Sequence, residues 1–152
     1  MPTIEPTSAA GIIPAVQHFV MGTKLHPIFV NFTAALVPIS IATDFAARFL
    51  KRESLRSTAW WTLLFATAIT PLTAVSGWLF WMADDNGVSG MTIHKWLGTG
   101  LAVLLVLLFM WRYRLNQKRQ WATLPYLLVG AIFVIALTIQ GHLGGEQVFS
   151  GM

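Results

Sequence analysis

The chain has 152 residues, of which 55% are hydrophobic and only 11% are charged, and its mean hydropathy is +0.64. Because soluble domains usually carry about 25% charged residues, this composition indicates a membrane protein with little chain left for a soluble domain. The formal net charge of +4 does not indicate a nucleic-acid partner, since most bases lie at two short connections. The absence of cysteine excludes disulfides, thiolate-bound metals and iron–sulfur clusters held by cysteine.

The first predicted element is a short apolar segment between Ala9 and Met21. Its apolar side chains could share one side of a helix, with His18 turned elsewhere, which favours an interfacial helix on the outer face of the membrane. The segment is short and no basic region precedes it, so we do not expect a cleavable signal peptide. We therefore assign residues 1–25 to an outer interfacial segment and residues 26–152 to a transmembrane domain.

Four later segments are long and apolar enough to cross a membrane, which takes about 20 residues in a helix. They are Ile28 to Leu50, Ala59 to Met82, Ile93 to Trp111 and Trp121 to Gly141. The sequence thus predicts an all-α fold, an integral membrane four-helix up-and-down bundle. No internal repeat is evident at a useful period.

The distribution of basic residues predicts how the bundle is oriented. Eight of the ten bases surround the first and third connections: Arg48, Lys51, Arg52, Arg56, Arg112, Arg114, Lys118 and Arg119. Short basic loops stay in the cytoplasm, and tryptophan marks the two interfaces of a membrane. Tryptophans fall at both ends of the predicted spans, so we expect both termini to lie on the outer side.

All four histidines map to the outer side. His26 opens the first span, His94 opens the third, His142 closes the fourth, and His18 lies in the interfacial segment. A single histidine at an interface commonly keeps its polar tip in water while its ring packs on apolar surface. Four histidines at the same level of the membrane favour a coordination site.

A pair of imidazoles from facing helices can take both axial positions of a haem. We predict His26 as one axial ligand and His94 as the most plausible partner, with His142 as the main substitute and His18 as a reserve. Gly77, Gly98 and Gly144 and their small neighbours could leave room for a flat macrocycle. The same small residues also allow membrane helices to pack closely. Without cysteine the haem would be of the b type, and without a histidine near the inner face it would be a single one.

Several short motifs carry a resemblance: His26-Pro27 followed by Phe32, the run from Thr73 to Trp78, His94, and the run from Gly141 to Phe149. Through them the chain resembles a family of small bacterial four-helix membrane domains of unknown function, over His26 to Met152. That family often has a second histidine where this chain has Asn31, and a His-Gly where it has Ser150-Gly151. The architecture also resembles that of four-helix cytochromes b, which implies haem held between histidines.

The expected function is therefore electron transfer by a subunit of the bacterial inner membrane that binds one haem b near the periplasmic face. Its partners would be a quinone or a periplasmic electron carrier, within a larger respiratory or photosynthetic complex. Two alternatives stay open, namely a cofactor-free structural subunit and a subunit that binds a chlorophyll-type pigment.

Asp44 is the one acidic residue inside a predicted span. An acid at this depth is by default a functional candidate, for example in proton uptake. Arg48 lies four residues later, so an ion pair along one helix is sufficient to explain it. We expect an ion pair between Asp44 and Arg48.

Overall fold

The computed structural model describes residues 11–83 and 89–149, and helices account for nearly all of them. Five helices follow one another along the chain: α1, Ile12–Gly22; α2, Leu25–Leu50; α3, Glu53–Ala83; α4, Ser89–Gln117; and α5, Leu124–Phe149. Among the described residues, four helices are long and apolar enough to cross a membrane, namely α2 to α5. The all-α prediction is confirmed, and residues 84–88 lie outside the described residues.

The four long helices form a ring in which each packs against two neighbours. Within the described residues, α2 packs against α3 and α5, and α4 packs against the same two helices. Helices α2 and α4 therefore lie diagonally across the bundle, as expected for alternate helices of an up-and-down bundle. The short α1 packs against α2 and α3, and it buries Val20 while its other apolar side chains stay exposed.

Helices α3, α4 and α5 run beyond the spans expected from hydropathy. Helix α3 begins at Glu53, in a polar first turn that includes Arg56, and α4 continues to Gln117. The hydropathy pattern marks only the part of a helix that lies in hydrocarbon, whereas backbone hydrogen bonding continues into the polar interface. The connections between helices are consequently shorter than predicted.

The two hairpins α2–α3 and α4–α5 share one pattern of burial, although no repeat is evident in their sequences. Each buried position described in α4 lies 68 residues after a buried position of α2: Thr33/Leu101, Val37/Leu105, Ser40/Leu108, Asp44/Arg112 and Ala47/Leu115. Three buried positions of α3 recur 67 residues later in α5: Ala59/Tyr126, Leu63/Gly130 and Ala66/Phe133. Even the turns match, since Lys51 and Arg119 share a φ of 53°.

The two halves differ in the chemistry of these equivalent positions. Between α2 and α3 the interior contains hydroxyl groups, and Thr33 Oγ1 lies 3.4 Å from Thr70 Oγ1. Ser40 donates a hydrogen bond of 2.8 Å to the carbonyl oxygen of Ala59. The residues equivalent to Thr33 and Ser40 are leucines, and these belong to the apolar core of the bundle. The repeat is thus one of position and not of residue type.

Candidate functional site

His26 lies half-buried at the start of α2, and the neighbouring helix α3 holds its ring in place. Its Nδ1 atom is 3.2 Å from the carbonyl oxygen of Thr73 and 3.0 Å from Oγ of Ser76. A carbonyl oxygen only accepts hydrogen bonds, so Nδ1 carries the proton and Nε2 carries the lone pair. In the described part of the chain, Nε2 makes no hydrogen bond. This is the arrangement in which a protein orients a histidine that binds a metal.

His94 lies at the equivalent position of α4, and Gln140 of α5 holds it. The amide nitrogen of Gln140 is 2.8 Å from the carbonyl oxygen of His94 and 3.3 Å from its Nε2 atom. The Nδ1 atom of His94 and the Oε1 atom of Gln140 are both buried without a hydrogen-bond partner among the described residues. Buried polar atoms in proteins are nearly always paired, so this end of the bundle has unused hydrogen-bonding capacity.

A glycine stands against each of the two rings. A Cβ atom on Gly77 would lie 2.9 Å from Cε1 of His26, and one on Gly144 would lie 2.7 Å from Cε1 of His94. A Cβ atom on Gly98 would lie 2.7 Å from the amide nitrogen of Gln140. The space that these glycines leave is therefore filled by the side chains of the site itself. Gly141 and Gly145, in contrast, face open space.

Gly144→Ala is expected to lower the stability of the bundle by about 1–3 kcal/mol, the usual cost of overpacking, because the new methyl group would displace the ring of His94. Gly145→Ala is the matched control, since its Cβ atom meets nothing within 4 Å. The measurement is thermal unfolding of both variants in the same detergent. Equal stability of the two variants would contradict the contact between Gly144 and His94.

The structure brings His26 and His94 together and leaves the other two histidines at the surface. His26 and His94 lie half-buried at the same end of the two diagonal helices. His18 is exposed on α1. His142 has 72% of its side chain exposed, and its Nε2 atom is 3.3 Å from Oε1 of Glu146. We call the end that carries His26 and His94 the histidine end, and the end that carries Lys51 and Arg119 the basic end.

A second polar centre lies on the same diagonal, about 27 Å along the helix from the histidines at 1.5 Å per residue. Arg112 donates two hydrogen bonds to the carboxylate of Asp44, from Nε at 2.6 Å and from Nη2 at 2.8 Å. The two side chains are 0% and 1% exposed, so this is an ion pair inside the bundle. The described residues contain no cluster of three or more acidic or histidine side chains that could hold a metal ion.

Two expectations about these charges are wrong. Arg48 does not pair with Asp44, because its Nη1 atom donates to the carbonyl oxygen of Ala122 at 2.8 Å. Arg112 does not belong to the exposed basic connection, because it is fully buried. Both errors have one cause: Asp44 faces the diagonal helix, and the sequence does not show which residue of that helix lies opposite.

Four buried side-chain atoms in the described residues have no hydrogen-bond partner, and all four belong to these two centres. They are Nδ1 of His94, Oε1 of Gln140, Nη1 of Arg112 and the hydroxyl oxygen of Tyr126. Sequence reasoning did not identify Gln140 or Tyr126 as part of a site. The equivalence of the two hairpins is what marks these two residues, since Gln140 is equivalent to Thr73 and Tyr126 to Ala59.

A bundle of four spanning helices with a polar centre toward each end of one diagonal defines a polytopic α-helical membrane protein with a candidate binding site. The chain belongs to the family described as "Predicted membrane protein (DUF2231)", whose model matches residues 22–151. This confirms the expected membership of a membrane family of unknown function. No curated protein and no solved structure matches the chain.

Proposed function

We propose that the chain is an electron-transfer subunit of the bacterial inner membrane that binds one b-type haem at the histidine end. The observation that carries the proposal is the placement of His26 and His94. They are half-buried imidazoles at equivalent positions of two diagonal helices. Imidazoles from facing helices of a bundle are a usual means of holding haem inside it.

The imidazole donors present are of the kind that ligates haem iron. His26 has its Nδ1 proton anchored on a backbone carbonyl and a free Nε2 atom, which is what an axial ligand needs. His94 lies at the same end of the diagonal helix, and its Nδ1 atom is buried without a hydrogen-bond partner among the described residues. Binding would be non-covalent, since the chain has no cysteine. Haem, when bound, supplies a one-electron iron couple, which would exchange electrons with a quinone or a periplasmic carrier.

The visible spectrum of the protein purified from its native membrane tests this proposal. We expect a b-type haem that dithionite reduces, at one haem per chain by pyridine haemochrome. A preparation without any tetrapyrrole would overturn the proposal and favour a cofactor-free structural subunit. A chlorophyll-type spectrum would instead assign the histidines to a pigment.

We also propose that the histidine end faces the periplasm. With Arg112 buried, the basic end still carries seven bases against one acid, Glu53; the bases are Arg48, Lys51, Arg52, Arg56, Arg114, Lys118 and Arg119. The described part of the other end carries Lys24 and Lys95 and the acid Glu146. Basic connections of this length are retained in the cytoplasm.

Reporter fusions at Glu53 and Asn116 are expected to behave as cytoplasmic. Both sites lie at the basic end, Glu53 as the first residue of α3 and Asn116 in the last turn of α4. Alkaline phosphatase should therefore be inactive at both positions, and a cytoplasmic reporter such as green fluorescent protein should fluoresce. Phosphatase activity at both sites would reverse the proposed orientation.

A further inference from the structure

The two histidines of the site are held in different ways, although they occupy equivalent positions. The backbone of α3 holds His26 through Nδ1, and this leaves its Nε2 atom free. A side chain of α5 holds His94, and its Nε2 atom is the one engaged. Because Nε2 is the nitrogen that points away from the backbone, only His26 offers that atom to a ligand in the bundle.

The orientation of the Gln140 amide follows from its partners. Its nitrogen lies 2.8 Å from the carbonyl oxygen of His94, which can only accept. The amide group therefore has its nitrogen at this position, and its second N–H is directed to Nε2 of His94 at 3.3 Å. As Nε2 accepts this bond, the proton of the neutral ring must be on Nδ1. That N–H is buried and unpaired.

The contact between Gln140 and His94 is confined by two glycines. A Cβ atom on Gly98 would lie 2.7 Å from the Gln140 amide nitrogen, and one on Gly144 would lie 2.7 Å from the ring of His94. The side chains of Gln140 and His94 thus occupy space that a residue larger than glycine at positions 98 and 144 would fill. Nδ1 of His94 and Oε1 of Gln140 remain without a hydrogen-bond partner among the described residues.

We propose that Gln140 is a positioning residue that withholds the Nε2 atom of His94 from metal ligation. The site then offers one available imidazole, His26, and a second that becomes available when the Gln140 amide turns away. For haem this inference rests on the proposed function. Haem held by His26 alone would be able to bind a small uncharged ligand such as a diatomic gas.

The tautomer of His94 tests the proposal without any haem. In ¹⁵N-histidine-labelled apoprotein at a pH where the ring is neutral, we expect the His94 proton on Nδ1, with its signals assigned through His94→Gln. Gln140→Met keeps the length of the side chain and removes both donors, so the proton should shift to Nε2. Thr138→Val is the control, since its hydroxyl bonds only to its own helix. A proton already on Nε2 in the wild type, or no shift in Gln140→Met, would overturn the proposal.

The haem-loaded protein gives a second readout. The wild type should show a high-spin component and bind carbon monoxide readily, whereas Gln140→Met should become low-spin and bind it more slowly. Gln140→Leu, which also lacks the amide donor, replaces the first variant if that one does not fold. Low-spin haem in the wild type would contradict the role of Gln140. Absence of haem would refute the proposed function instead, and the tautomer measurement would still decide the role of Gln140.

Discussion

Replacing Asp44 with alanine is expected to lower the free energy of unfolding by about 3–5 kcal/mol, the usual effect of removing one partner from a buried ion pair. Arg112 would remain 0% exposed with no countercharge, inside a part of the bundle that spans the membrane. Its guanidinium group already has one unpaired nitrogen, so the remaining hydrogen bonds could not compensate. The expected result is a large fall in the denaturant midpoint in detergent and a low yield of folded protein.

The double variant Asp44→Leu/Arg112→Leu is the matched control for this prediction. Replacing both members of a buried ion pair by apolar residues is often neutral or stabilising, because the cost of desolvating the charges disappears with them. The double variant should therefore be more stable than Asp44→Ala. If it is less stable than the single variant, the pair contributes to stability beyond the avoidance of an isolated charge.

His26→Ala is expected to abolish haem binding or to change the haem spectrum. Loss of an axial ligand alters the coordination of iron, and His26 is the histidine whose free Nε2 atom and backbone anchor best suit that role. The measurement is haem content and the reduced-minus-oxidised spectrum of protein isolated from the membrane. His94→Ala should leave the haem content largely unchanged, because Gln140 engages the Nε2 atom of His94.

His142→Ala is the matched control for His26→Ala. His142 is largely exposed and pairs with Glu146 one turn along the same helix, so its removal should leave the spectrum unchanged. A haem spectrum that survives His26→Ala at full occupancy would contradict His26 as a ligand. Loss of haem in His142→Ala would move the site toward the end of α5.

The sequence predicted those features that depend on one helix at a time. Long apolar runs mark spans wherever they occur, and the pattern of Ile12 to Gly22 favours a short helix. The alternation of helix direction also suffices to place His26 and His94 at one end. None of these predictions requires knowing which residue of one helix faces which residue of another.

The other features of the site depend on which residues of different helices face each other, and the sequence contains little information about these pairings. Among the equivalent positions that belong to the site, only His26/His94 and Gly77/Gly144 carry the same residue. Asp44 and Arg112 differ in charge, and Thr73 and Gln140 hold the histidines by backbone and by side chain respectively. A comparison of residue types therefore does not reveal the repeat, whereas the pattern of buried positions does.

The equivalence of the two hairpins has a consequence for how such a bundle can arise. If one hairpin paired with an identical copy about a twofold axis, every side chain on that axis would meet its own duplicate. Histidine tolerates this, since one neutral ring can face another, but two aspartates or two arginines would repel each other in the membrane. The Asp44–Arg112 pair requires two halves of different sequence, and one polypeptide provides them because each half can acquire its own charge.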